Sequence, residues 1–179
     1  MANKVKYNIK NVHYAVKGAN AYETPVAIPG AVSLSCDPQS ESSVFWADGI
    51  QYYKTYSNNG YEGDLEVALL PDSFMTDVLG DTLDATSKVL IEHADAPTVE
   101  FALGFEIEGD TESILFWYYN CTASRPTVEA NTTEETKEPE TETLEWTCSP
   151  NADGIVRVKT TAETPAATRE AWFTTVFTP

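Results

Sequence analysis

The chain has 179 residues, with 28 Asp and Glu against 11 Lys and Arg and a formal net charge of -17. That length suits one ordinary domain burying roughly two-thirds of the surface its unfolded form exposes, with no need of a disulfide or metal staple. The charge argues against gripping nucleic-acid phosphates through counterion release, and with no run of about 18 apolar residues and no leader pattern the expectation is a soluble product made in a cytoplasm.

In chain order, the first signal is basic: Lys4, Lys6, Lys10 and Lys17 all precede the first acid, Glu23. Val5, Tyr7 and Ile9 alternate with Lys6, Asn8 and Lys10, the period of a half-exposed strand, so residues 1–17 read as a basic arm on an acidic body. After a break around Gly18 and Pro25, Val32, Leu34 and Cys36 alternate with serines as a second strand that ends at Asp37-Pro38. Residues 37–60 carry Phe45, Trp46, Tyr52, Tyr53 and Tyr56 around an Asp48-Gly49 turn signal, which predicts a long aromatic loop or hairpin.

From Tyr61 the pattern sharpens. Leu65, Val67 and Leu69 point to one side of an extended segment, and Glu62, Asp64 and Glu66 to the other. Pro71 stops this strand, and a short helix is predicted over 72–80, capped by Asp72, paired through Phe74/Val78 and Met75/Leu79, and closed by Gly80. Phe101, Leu103, Phe105 and Ile107 alternate again, and beyond the Gly109-Asp110 turn the run 114–119 is apolar on both faces, which predicts a hairpin with a buried second strand.

The Thr- and Glu-rich segment 129–145 leads into another strand. Glu138, Glu140 and Glu142 share the parity of Leu144, Trp146 and Cys148, while Thr141, Thr143, Glu145 and Thr147 take the other. Asn151 to Gly154 turns the chain into a strand over 155–160. Thr164 as cap and Pro165 at the first helical position then open a short carboxy-terminal helix that Trp172 and Phe173 dock. The predicted fold is mainly β, a single domain over 1–179 with one or two short flanking helices.

Chemistry-bearing motifs are sparse. Cys36, Cys121 and Cys148 form an odd, widely spaced set without a CxxC pair and read as buried free thiols. His13 and His93 lack zinc-ligand spacing, and no nucleophile elbow, P-loop or dinucleotide fingerprint occurs. No catalytic, cofactor-binding or metal-ligating residue is assigned. Acidic pairs are abundant, and a glycosidase needs only two carboxylates about 5 to 10 Å apart. The ladders Glu62/Asp64/Glu66 and Glu138/Glu140/Glu142 admit two readings, a solvated face that protects sheet edges or a functional surface.

The opening NVHYAVKG, the segment TPVAIPGAVSLSCDPQSESS, the run NNGYEGDLEVALLPDSFMTDVLG and the later EFALGFEIEGD, YNCTASRP and PETETLEWTCSPNADGIVRVKT resemble the major tail proteins of siphophages infecting Gram-positive bacteria. The resemblance covers nearly the whole chain, and its most specific part runs from Tyr61-Glu62-Gly63-Asp64-Leu65 through Pro71-Asp72 to Leu79-Gly80. It implies a tail-tube-type sandwich or barrel of two packed sheets with a flanking helix, assembled as hexameric rings stacked into a hollow tube in the virion. Implied partners are further copies of the chain, the tape measure protein, the tail terminator and distal tail proteins. Viral DNA would pass through without specific binding, and no cofactor or membrane is involved.

On that reading Glu62, Asp64, Glu66, Glu138, Glu140 and Glu142 line the channel. Lys4, Lys6 and Lys10 meet an acidic neighbour, easing repulsion of roughly -100 per ring, and Trp46, Tyr52 and Tyr53 mediate stacking between rings. The rival readings are a carbohydrate-binding β-sandwich, with Trp46, Tyr52 and Tyr53 as a sugar platform, and an acid-pair glycosidase.

Overall fold

The computed structural model describes residues 3–128, 130–132 and 139–179. Thirteen strands and two short helices follow one another as β1 (Lys6–Val16), β2 (Val26–Ala27), β3 (Ala31–Leu34), β4 (Asp37–Gln39), β5 (Ser42–Ala47), β6 (Ile50–Tyr56), β7 (Gly60–Val67), α1 (Asp72–Asp77), β8 (Thr82–Leu83), β9 (Leu90–Ile91), β10 (Phe101–Gly109), β11 (Ile114–Ala123), β12 (Glu142–Cys148), β13 (Arg157–Lys159) and α2 (Ala166–Glu170). With 45% strand and 6% helix and every ladder antiparallel, the chain is mainly β.

Nine strands form one continuous sheet in the order β2-β1-β10-β11-β12-β7-β3, with β13 added to β11 and β4 to β7. This continuous ladder folds so that side chains of β1 and β10 share one core with those of β7 and β12, and Tyr118 of β11 meets Tyr61 of β7 edge-on at 5.2 Å and Trp146 of β12 at 5.3 Å. That core takes Val12 and Tyr14 from β1, Leu65 and Val67 from β7, Phe101, Leu103 and Phe105 from β10, and Leu144 and Trp146 from β12.

The central hairpin β10–β11 is buried on both faces, as its unbroken apolar run predicts. On the second face Leu115, Trp117 and Tyr119 are covered by Trp172 and Phe173 beyond α2. The Trp117 indole N–H donates to the Trp172 carbonyl at 3.1 Å, and Arg169 of α2 donates to the Ser113 carbonyl at 2.8 Å. Gly104 makes room for this layer, because a Cβ there would lie 2.5 Å from the Trp117 ring.

The helix after β7 is shorter than 72–80: α1 ends at Asp77, and Pro71, not Asp72, occupies its N-cap. Phe74 and Val78 are buried as the i,i+4 pattern requires, and Gly80 leaves the turn at φ 78°. The strand before it also stops early. Leu69, expected on the core side, is exposed because β7 ends at Val67 and the Leu70 N–H is taken by the Glu142 carboxylate at 2.7 Å. The carboxy-terminal helix forms with Pro165 as its N-cap.

Residues 1–17 do not form a detached arm in the described structure. Asn3 ties the chain to the β10–β11 turn through the N–H groups of Thr111 and Glu112, the Lys4 N–H donates to Asp110 at 2.9 Å, and β1 pairs along β10. Asn11, at φ 52°, sits in a bulge where the register slips between Lys10 and His13. The bulge reverses the parity of the strand, so that Tyr7 faces water and Ile9 is half-buried, while Val12 and Tyr14 enter the core. The strand call from Val5, Tyr7 and Ile9 is right in kind; its apolar face lies further along.

Lys10 is engaged within its own sheet, 3.4 Å from Glu106 and 3.6 Å from Glu108. Burial alone would raise the Glu106 carboxyl, but hydrogen bonds from Ser113 and Asn11 and the charge of Lys10 outweigh it and hold the group below its ordinary value. A carboxyl lowered on folding adds stability that is fully present above its unfolded pKa, near 4.5, and fades as pH falls through the lower folded value. Glu106→Gln is expected to cost about 1.5–3 kcal/mol at pH 7 and to lessen the loss of stability between pH 5 and pH 3. Urea unfolding at several pH values reads both, and an unchanged acid limb would remove Glu106 from the account.

Candidate functional interface

Two surfaces of this fold lack an explanation within the subunit. The first is the outer face of the β12-β7-β3/β4 part of the sheet. Alternation along β7 sends Leu65 and Val67 inward and leaves Glu62, Asp64 and Glu66 outward, as the sequence predicts. Across the ladder Glu62 faces Thr147, Asp64 faces Glu145 and Glu66 faces Thr143, while on the other side Asp37 pairs with Glu62 and Ser33 with Glu66. The face is thus acids set among hydroxyls, and neither Lys nor Arg occurs in these four strands.

Asp64 and Glu145 stand directly opposite one another, a like-charge arrangement that costs stability. The hydroxyls offset part of this. Thr141 and Ser33 donate to the two oxygens of Glu66 at 2.7 and 2.8 Å, and those two bonds hold its carboxyl below the usual range.

The second acidic ladder is corrected by parity. In β12 the inward residues are Leu144, Trp146 and Cys148, so Glu142 shares their side and its carboxylate is consumed by the Leu70 N–H. The outward acid of this strand is Glu145, which the sequence reading had placed with the threonines without giving it a role. Glu140 lies before the strand, exposed, accepting a hydrogen bond from Asn131 at 3.0 Å, and Glu138 falls outside the described residues. The error arose because a Leu, Trp, Cys series on one parity already fixes the core side.

The second surface is the ribbon β5–β6. Among the described residues it pairs with no other strand, and Asp48 and Gly49 connect its strands in a two-residue turn with φ 53° and 75°, the left-handed conformations that the Asp-Gly signal requires. Phe45, Trp46, Ile50, Tyr52, Tyr53 and Tyr56 are each between 61% and 68% exposed. Phe45 and Tyr52 touch edge-on at 6.5 Å, and Lys54 lies 4.8 Å over the Tyr56 ring. Tyr52 and Tyr53 are consecutive in a strand and therefore point to opposite faces, which is poor geometry for one flat sugar platform built from Trp46, Tyr52 and Tyr53.

The remaining expected residues are scattered. Lys4 and Lys6 are exposed beside the β10–β11 turn, whereas Lys10, further along β1, is paired within its own sheet. His13 stacks on Phe173 at 4.6 Å, and His93 sits in the segment after β9. Among the described residues no group of three His, Cys, Asp or Glu side chains is placed to hold a metal ion, and no helix is long and apolar enough to cross a membrane. Among the described residues, local hydrogen bonds and, at Glu106, the charge of Lys10 hold the Glu66, Asp84 and Glu106 carboxyls below their ordinary values, whereas a general acid needs the opposite.

No protein-family model matches the chain, and no curated protein matches it.

Proposed function

We propose that the chain is the building block of a phage tail tube, a tail-tube-type fold whose copies close into hexameric rings and stack into a hollow virion conduit for DNA. The observation that carries this reading is the β5–β6 ribbon. An isolated two-stranded ribbon is marginal in water, and its six large aromatic and aliphatic side chains remain about two-thirds exposed. They are the surface of an assembly subunit, with Trp and Tyr as the residue types that anchor interfaces. Trp46, Tyr52 and Tyr53 serve axial stacking on this account.

The outer face of β7 and β12 supplies the channel wall. Glu62, Asp64 and Glu66, joined by Glu145 in place of Glu142, would repeat around the ring as circles of negative charge. Such a wall offers phosphate no cation to stick to, and repels it over about a Debye length, near 8 Å at physiological salt. The cost of setting Asp64 against Glu145 is then the cost of keeping a duplex mobile.

Sedimentation and negative-stain imaging of the purified chain test the reading. Rings or tubes that grow with concentration are the expected result; a discrete monomer that binds polysaccharide would replace this account with that of a carbohydrate-binding module.

A further inference from the structure

The chain carries three cysteines, all free thiols, and two that lie far apart in sequence, Cys121 of β11 and Cys148 of β12, come to neighbouring strands. Cys121 and Cys148 are direct cross-strand partners in the β11–β12 ladder. The bonds from the Ser149 N–H to the Asn120 carbonyl and from the Ser124 N–H to the Glu145 carbonyl fix the phase of that ladder. They make 120/149, 122/147 and 124/145 the hydrogen-bonded pairs, so 121/148 is a non-hydrogen-bonded pair, with Cα atoms about 4.5 Å apart. That spacing lies within the range a disulfide spans. Thr122 and Thr147 meet at 3.0 Å on the outer face, which places both thiols inward. Cys121 is fully buried and Cys148 nearly so, and the Cys121 thiol points toward the Tyr118 carbonyl at 3.5 Å.

We infer that Cys121 and Cys148 are an oxidisable dithiol, a modification site whose disulfide staples β11 to β12. Cys36 has no such register with either partner: it lies between β3 and β4, which pair with β7 on the side away from β12.

The location gives the bond its consequence. The edge of β11 is divided, Phe116–Tyr118 pairing with β13 and Cys121–Ala123 with β12. The backbone ladder that joins the acidic-faced strands to β11 is therefore three residue pairs long, and the disulfide would lie within it. Cys148 keeps about 5% of its surface exposed where Cys121 has none, so Cys148 is the sulfur that an oxidant reaches first.

Diamide, a two-electron oxidant, is the probe. The Cys148 thiolate adds to its N=N bond, the Cys121 sulfur displaces the nitrogen to form the S–S bond, and the two thiol protons and two electrons end on the hydrazine. Treated in its native state and mapped by peptide mass spectrometry without reduction, the full chain is expected to lose two hydrogens per molecule at a Cys121–Cys148 link. Cys36→Ser should react identically, and the oxidised protein should melt about 5–10 °C higher, since the link closes a long loop. Links through Cys36, links only between molecules, or no intramolecular link in the folded Cys36→Ser protein would overturn the inference.

Discussion

Deleting residues 1–17 is expected to leave no folded monomer. The segment supplies β1, whose Val12 and Tyr14 are buried in the main core and whose Ala15 is fully buried against β10. Tyr14 packs edge-on against Phe74 of α1 at 5.0 Å and its hydroxyl donates to Asp77 at 2.9 Å, so the strand also seats the helix. Each large apolar side chain removed forfeits about 1.5–3 kcal/mol. Together with the opened edge of β10, the loss approaches the whole stability of a typical domain, about 5–15 kcal/mol. Circular dichroism and a thermal scan of the truncated chain read the outcome. A truncated protein that still melts cooperatively would mean that β1 is an accessory strand, and would restore the idea of a dispensable basic arm.

The second large effect separates assembly from folding. Replacing both Trp46 and Tyr52 with Ala removes two anchors from the ribbon β5–β6 but no contact from the subunit core, since both side chains are about two-thirds exposed. Monomer stability should change by less than about 0.5 kcal/mol per substitution, the range of ordinary surface changes. If each side chain is an interface hot spot worth about 2 kcal/mol, stacking weakens by roughly a thousandfold. Sedimentation velocity should show isolated rings or monomers where the unaltered chain forms longer particles. Unchanged particle length would mean that the ribbon faces solvent in the assembly; a large loss of thermal stability would mean that the aromatics serve the subunit itself.

Much of the fold is legible in the chain because burial and period coincide there. The alternation Phe101, Leu103, Phe105 and the two-sided run from Ile114 can bury their side chains only as adjacent inner strands, and Asp48-Gly49 dictates its turn through backbone angles that few other residue pairs accept. The first strand was legible as a strand but not in its buried face, which begins at Val12 and Tyr14 and not at Val5 and Tyr7. A single residue, Asn11, adopts a left-handed conformation and reverses the faces beyond it, and no hydropathy pattern announces a bulge of that kind. The acidic face was half legible. Parity placed Glu62, Asp64 and Glu66 correctly because Leu65 and Val67 fix the opposite side, and the same test applied to Leu144 and Trp146 would have chosen Glu145 over Glu142. What makes Asp64 and Glu145 neighbours, and Cys121 and Cys148 partners, is ladder register between segments far apart in sequence. Periodicity within a segment carries no information on that.

A three-dimensional reconstruction of the assembled, unmodified chain by electron cryomicroscopy tests the central claim most directly, because it shows which surface of the subunit meets the axis. The account predicts stacked rings with Glu62, Asp64, Glu66 and Glu145 facing a hollow lumen and the β5–β6 ribbon wedged between successive rings. Particles in which that acidic face looks outward, or a chain that stays monomeric at every concentration tried, would contradict it.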